Sequence, residues 1–301
     1  MMSIIIWRQG DENVNHDTGA TTLDRALVLG PGGLAGTAWM AGLAAGLGRE
    51  GVDLGDADLT VGTSAGAIVA VLLATRQDLD RLGVPARRPG PAAPRREVDP
   101  AVAASVFAVL GEAGLEPGEA RRRVGRIALD HADPEAERTL LAGRGALIGA
   151  GDWPDRRLLV TAVDAGSGEP VVWDRTSGVP LVHAVAASSA FPGVEPPVGI
   201  HGRRYMDGAL RAGTNADLAA GARSLVVVEP LAHLFPGEPH EPRSPDGAGR
   251  SVVTVAPDPD AVRAFGSDPY DRAAWEPAYR AGLGQAAATA ERLRPVWGRD
   301  R

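Results

Sequence analysis

The feature of the sequence that most constrains its fold is an apolar run that ends in a Gly-x-Ser-x-Gly motif. The β-branched segment Leu59–Val61 leads into the motif Gly62–Gly66, and an Ala-rich segment typical of a buried helix follows up to Ala74. This order predicts a strand, a sharp turn and a helix, which is the setting of a nucleophile elbow. Small residues on both sides of the serine allow the strand and the helix to approach closely. We therefore predict that Ser64 is an acyl-transfer nucleophile, against the alternative of a Gly-Ser turn that matches the motif by chance.

The composition of the 301 residues excludes several other chemistries. The chain has no Lys and no Cys, which excludes a P-loop lysine, a Schiff-base lysine, a disulfide and a thiol nucleophile. A net charge of −7 gives no basic surface for nucleic acid, so we expect no nucleic-acid partner. No apolar run reaches the roughly 18 residues of a membrane span. We expect a cytoplasmic protein with a flexible leader at residues 1–22 and one α/β domain at 23–301.

A second glycine-rich turn precedes the serine motif. Arg25–Leu29 reads as a buried strand that runs into the loop Gly30–Gly36, and a helix is predicted from Thr37 to about Leu47. One interpretation is a dinucleotide-binding fingerprint, but that site needs an acidic residue at the end of the second strand, where this chain has Ser64. The other interpretation is an oxyanion hole built from backbone N–H groups, and a turn without ligand is the third. Two such turns in consecutive strand–helix units favour the oxyanion hole.

The middle of the chain predicts an insertion with a helical cover at about 82–150. The stretch from Leu82 to Pro100 is rich in Pro and Arg and predicts an exposed loop. Three helices are predicted after it, at Ala101–Leu115, about Glu119–Leu129 and about Pro134–Gly143. The neighbouring residues Asp130, His131 and Asp133 lack the further ligands that a metal site needs, so we expect no metal and no cofactor.

A serine hydroxyl needs a neighbouring base to act as a nucleophile. The strand Arg203–Met206 delivers an Asp-Gly pair well beyond the serine motif, which makes Asp207 the candidate base. A Ser-His-Asp triad would instead need a histidine after the aspartate. His233 follows a predicted strand and is the better candidate for that role, whereas His240 lies between prolines.

Four segments in this order resemble the motifs of the patatin-like phospholipases, and specifically bacterial serine acyl hydrolases of that family. They are Gly30–Gly36, Gly62–Gly66, Ala187–Val194 and Asp207–Ala209. The resemblance implies an α/β fold, a three-layer α/β/α sandwich with a mostly parallel central sheet. It also implies a lipid acyl hydrolase (EC 3.1.1.-) that cleaves a fatty-acyl ester or phospholipid. Peripheral contact with a membrane surface is compatible with the lack of an apolar run long enough to span it. The residues that it implies are the catalytic dyad Ser64 and Asp207, the oxyanion hole at Gly32, Gly33 and Leu34, and the motif glycines Gly30, Gly36, Gly62, Gly66 and Gly208.

The glycine-rich loop departs from the family pattern at two positions. Pro31 replaces a common glycine and removes one N–H donor, while it stiffens the turn. Ala35 stands where many members carry Arg or Lys, so the loop has no cation near the oxyanion. Loss of such a contact lowers transition-state stabilisation by a few kcal/mol in known oxyanion holes. A protein of the same fold that binds an acyl lipid without turnover is therefore the alternative.

Overall fold

The computed structural model describes residues 23–83, 100–149, 151–234 and 250–298. These residues form eight strands in one sheet and, between the strands and after them, nine α-helices. The strands are β1 Arg25–Leu29, β2 Leu59–Gly62, β3 Arg157–Asp164, β4 Pro170–Trp173, β5 Val198–Ile200, β6 Arg203–Asp207, β7 Ser224–Val228 and β8 Ser251–Val255. The helices are α1 Gly33–Arg49, α2 Ala65–Ala74, α3 Pro100–Leu110, α4 Pro117–Asp130, α5 Pro134–Ile148, α6 Leu181–Ser188, α7 Ala209–Ala212, α8 Pro259–Phe265 and α9 Trp275–Trp297.

The sheet is parallel in its centre and antiparallel at one end. The strand order is β5-β6-β3-β2-β1-β7-β8, and β4 pairs separately with β3. The five strands from β3 to β8 in this order run parallel, whereas β4 and β6 pair antiparallel to β3, and β5 pairs antiparallel to β6. Open sheets of this kind place their sites at the carboxyl ends of the parallel strands.

Alternating side chains of the central strands point into two different cores. On β1, Leu27 and Leu29 pack with the cluster that includes α1, α2 and α9. Ala26 and Val28 face the opposite side, where they pack against the short helical turn Ala216–Ala219. A period of two is what a strand buried on both faces imposes. Helices therefore flank a central, mostly parallel sheet, which confirms the predicted α/β fold class.

The first and last helices pack against each other at unusually short range. A Cβ atom at Gly42 of α1 would lie 2.1 Å from the carbonyl oxygen of Tyr279 in α9. A Cβ atom at Gly282 of α9 would lie 2.2 Å from the carbonyl oxygen of Trp39 in α1. Real Cβ atoms do not approach backbone that closely, so this contact requires the two glycines.

The predicted strands agree with the structure, but several helix boundaries were wrong. Helix α1 begins at Gly33 rather than Thr37, so the last four residues of the predicted loop Gly30–Gly36 are helical. Helix α3 ends earlier than predicted, before the turn that contains Gly114, which has a φ of +77°. Helix α5 runs beyond Gly143 because Leu140 and Ile148 are both buried in the core. The predicted leader, residues 84–99 of the predicted loop from Leu82 to Pro100, and His240 lie outside the described residues.

Candidate active site

Ser64 occupies a sharp turn between β2 and α2. Its backbone has φ 56° and ψ −119°, a conformation that costs a non-glycine residue of the order of 1–3 kcal/mol. The start of α2 lies so close to the end of the neighbouring strand β1 that a Cβ atom at Gly66 would lie 1.9 Å from the carbonyl oxygen of Leu29. A Cβ atom at Gly62 would lie 2.6 Å from the Cα atom of Ala67. The spacing of the motif thus matches a physical need for small residues on both sides of Ser64.

Asp207 ends β6 directly beside this turn. The Ser64 hydroxyl donates a hydrogen bond to Asp207 Oδ2 at 2.7 Å, and the backbone N–H of Ala209 donates to Oδ1 at 2.8 Å. Asp207 is 1% exposed and Ser64 is 8% exposed. The structure therefore brings together the two residues that the sequence assigned as nucleophile and base.

Burial raises the pKa of Asp207 from 3.8 to about 7. The N–H of Ala209, the Ser64 hydroxyl and the positive charge of Arg144 act in the opposite direction, because each stabilises the carboxylate. An aspartate with this pKa is a stronger proton acceptor than an exposed aspartate and is still partly ionised at neutral pH.

A buried polar network holds the backbone on both sides of the Ser64–Asp207 pair. The side-chain amide of Asn215 donates to Thr63 Oγ1 at 2.9 Å and to the carbonyl oxygen of Gly208 at 3.1 Å. Thr63 Oγ1 and Thr161 Oγ1 are also hydrogen-bonded at 3.0 Å. Asn215 has a left-handed φ of 60°, which asparagine tolerates better than most residues. Asn215 was not predicted as a site residue, although its position two residues after Gly213 is typical of a turn.

The end of α6 forms a second support for the pair. The Ser64 N–H donates to Ser188 Oγ at 2.9 Å, and the Asp207 N–H donates to the carbonyl oxygen of Ala190 at 3.0 Å. The Gly208 N–H donates to the Ser188 carbonyl oxygen at 3.3 Å. The segment that the sequence linked to Asp207 by resemblance alone therefore fixes both Ser64 and Asp207 through hydrogen bonds.

The predicted oxyanion loop lies next to the elbow. The Gly66 N–H donates to the carbonyl oxygen of Gly30 at 3.1 Å, which joins the two glycine-rich turns. Gly32 precedes α1, and Gly36 lies in the first turn of that helix, where a Cβ atom would meet Pro230 at 2.8 Å. Gly33 has a left-handed φ of 62°. Within the described residues, the N–H of Gly33 has no hydrogen-bond acceptor.

A carbonyl group from the connection between α8 and α9 caps this loop. The N–H groups of Leu34 and Ala35 donate to the Pro269 carbonyl oxygen at 2.8 and 3.1 Å. Leu34 was predicted as an oxyanion donor, and its N–H is engaged in this contact in the structure. No sequence pattern points to Pro269, because the contact joins distant parts of the chain. The N–H groups of Leu34 and Ala35 therefore point at one acceptor, the Pro269 carbonyl oxygen.

His233 was the alternative base, and Asp133 was one of the residues weighed as a metal ligand. His233 packs edge-on against Phe265 with ring centroids 5.7 Å apart, and its buried Nδ1 has no hydrogen-bond partner among the described residues. Burial lowers the pKa of His233. Asp133, which was considered as a metal ligand, caps α5 by accepting from two backbone N–H groups. The part of the chain that the structure describes contains no group of three residues able to hold a metal ion.

The chain is similar to known proteins in sequence and in structure. The family model for patatin-like phospholipases matches residues 27–220, which is more than half of the chain. VipD from Legionella pneumophila shares 10% identity with a TM-score of 0.40, over 89% of this chain and 67% of that one. The type III effector protein ExoU shares 17% identity with a TM-score of 0.36, over 90% of this chain and 54% of that one. A comparison with curated protein sequences gives no match. The range matched by the family model contains both Ser64 and Asp207.

Proposed function

Because the chain belongs to the patatin-like phospholipase family, we propose that it is a serine lipid acyl hydrolase with Ser64 as nucleophile and Asp207 as general base. Members of this family act on lipid or phospholipid substrates. The observation that carries the proposal is the 2.7 Å hydrogen bond from the Ser64 hydroxyl to the buried carboxylate of Asp207. The reaction class is hydrolysis of a carboxylic ester, EC 3.1.1.-.

The reaction proceeds in two steps. Asp207 accepts the hydroxyl proton as Ser64 Oγ attacks the ester carbonyl carbon, and the tetrahedral intermediate then expels the alcohol, which takes up that proton. In the second step Asp207 accepts a proton from water while the water oxygen attacks the acyl carbon. The tetrahedral intermediate then breaks its bond to Ser64 Oγ, which takes the proton back from Asp207 as the fatty acid leaves. The raised pKa of Asp207 suits both directions of proton transfer near neutral pH.

The negative charge of each intermediate falls on the former carbonyl oxygen. Backbone N–H groups at Gly32, Gly33 and Leu34 are the proposed donors, and the left-handed conformation of Gly33 is consistent with this use. For Leu34 to serve, the substrate oxygen must replace the Pro269 carbonyl oxygen as its acceptor.

Hydrolysis of short p-nitrophenyl esters tests the assignment. We expect Ser64→Ala and Asp207→Asn each to lower kcat by at least about a thousandfold, as loss of a nucleophile or its base does in other serine hydrolases. Ser105→Ala, which alters an exposed serine on α3, serves as the matched control and should retain full activity. A Ser64→Ala rate equal to that of the wild type would refute the role of Ser64. Loss of activity in His233→Ala, with the fold intact, would favour the triad.

A lipid-binding protein without turnover is the second candidate. The observation that favours it is the Pro269 carbonyl group on the N–H groups of Leu34 and Ala35, together with the uncharged side chain of Ala35. An alkyl fluorophosphonate separates the two candidates, because it labels only an activated serine. Labelling at Ser64 supports the hydrolase, whereas acyl-lipid binding without labelling supports this second candidate.

The expected cytoplasmic location and surface contact with membranes stay predictions. Among the helices that the structure describes, none combines the length and apolar character needed to cross a bilayer.

A further inference from the structure

Arg144 is a largely buried cation beside the proposed active site. It lies on α5, and its side chain is 16% exposed. Its Nε donates a hydrogen bond to Ser189 Oγ at 2.8 Å. Ser189 directly follows Ser188, whose hydroxyl oxygen accepts the backbone N–H of Ser64. The guanidinium group is thus attached to the same two-serine segment that holds the nucleophile.

The hydrogen-bonding capacity of this guanidinium group is mostly unused by the protein. An arginine carries five N–H donors, and within the described residues the Nε contact is the one hydrogen bond that Arg144 makes. The nearest carboxylate oxygen, Glu195 Oε1, lies 3.6 Å from Nη2, which is an ion pair without a hydrogen bond. By contrast, Arg204 donates from Nη1 to Glu137 Oε2 at 2.9 Å and to the Pro197 carbonyl oxygen at 3.0 Å.

A cation in this environment favours an anionic ligand. Taking a guanidinium group out of water is costly unless its donors are satisfied. Burial accordingly lowers the pKa of Arg144, and the carboxylates of Glu195 and Asp207 only partly offset this effect. The fork of an arginine fits the oxygens of a phosphate or carboxylate group.

We infer that Arg144 binds the phosphate group of a phospholipid whose acyl ester lies at Ser64. The inference rests on the proposed function and deepens it by assigning the side chain that recognises the phosphate group. In a glycerophospholipid the phosphate and the scissile ester are separated by only a few bonds, and Arg144 and Ser64 contact adjacent residues, Ser189 and Ser188. The glycine-rich loop Gly30–Gly36 has no charged side chain of its own to take this role.

Binding without turnover tests the inference. In a Ser64→Ala background, calorimetry would compare a monomeric dihexyl-ether glycerophosphocholine with dihexyl-ether glycerol, which lacks the phosphate. We expect Arg144→Gln to raise the Kd of the ligand that contains phosphate by about tenfold or more, because hydrogen bonds to a charged group are stronger than those between neutral groups. The Kd of the ligand that lacks phosphate should change by less than about twofold. Arg204→Gln removes a comparable arginine from the contact with α5 and should affect neither ligand.

The outcomes separate this inference from the others. An equal rise in the Kd of both ligands in Arg144→Gln would overturn the inference, because Arg144 would then only hold the Ser188–Ser189 segment in place. Competition by octanoate but not by inorganic phosphate would also overturn it in favour of a site for the fatty-acid product. Arg144→Lys, which keeps the charge, should retain part of the affinity, and it covers the case in which the glutamine variant does not fold. These binding results stand even if Ser64 proves not to be a nucleophile, so failure of the proposed function would be recognised separately by fluorophosphonate labelling.

Discussion

Replacing Asp207 by Asn should stabilise the protein while it removes the proposed base. An asparagine fits the same site, because its oxygen can accept from the Ala209 N–H and its amide can donate to the Ser64 hydroxyl oxygen. The charge is what changes. Burial raises the pKa of Asp207 to about 7, whereas an aspartate in the unfolded chain has the reference value of 3.8. The native state therefore keeps this proton at pH values where the unfolded state has lost it.

The sign of the effect follows from proton linkage. Between about pH 4 and pH 7 the native state binds more protons than the unfolded state, so the free energy of unfolding falls as the pH rises. With the two pKa values above, this titration lowers the free energy of unfolding of the wild type by about 2 kcal/mol at pH 5 and about 4 kcal/mol at pH 8. Asp207→Asn has no titrating carboxyl group at this position, so its free energy of unfolding is not lowered in this way. Its stability advantage over the wild type should therefore grow by about 2–3 kcal/mol between the two pH values.

Urea denaturation of the two proteins at pH 5 and pH 8 measures this difference. Asp155→Asn removes the same charge from a side chain that is 98% exposed and controls for the change in net charge. If the free energies of unfolding of the wild type and Asp207→Asn differ by the same amount at both pH values, the reasoning is refuted. It would mean that Asp207 titrates alike in the native and unfolded states.

The kcat/KM of the wild type for a neutral ester should rise about tenfold between pH 6 and pH 8, because Asp207 must be ionised to accept a proton, and a flat profile would contradict its role as base. In thermal denaturation, Gly66→Ala should destabilise the protein by at least about 3 kcal/mol, because its Cβ would overlap the Leu29 carbonyl oxygen. The control is Gly284→Ala, in an open and exposed part of α9, which should stabilise the protein by about 0.5–1 kcal/mol. Asn215→Ala should lower the free energy of unfolding by about 2 kcal/mol in urea, since it leaves buried polar groups without a partner, and an unchanged midpoint would contradict this account of the network.

The sequence predicted the parts of the site that depend on local patterns. The strand–turn–helix order around Ser64 and the late Asp-Gly pair were enough to select the two residues that the structure joins by a hydrogen bond. Strand β5 was missed because its three residues follow two prolines, which hide a short edge strand. Pro269 and Arg144 were missed for a different reason. Their roles arise from contacts between segments far apart in the chain, and a periodic pattern or motif carries no information on such contacts.

The cap on α1 and the close packing of α1 against α9 have a consequence for how the chain folds during synthesis. Strand β1 lies between β2 and β7, and α1 is completed by the Pro269 carbonyl group and by the backbone of α9 around Gly282. All three partners on the C-terminal side emerge from the ribosome after residue 220, where the family match ends. Pairings between such distant segments form slowly, because the entropy of closing a long loop is lost before the new contacts stabilise the chain. A nascent chain that stops at residue 220 should therefore expose the apolar faces of β1 and α1 and depend on chaperones, although it already contains both Ser64 and Asp207.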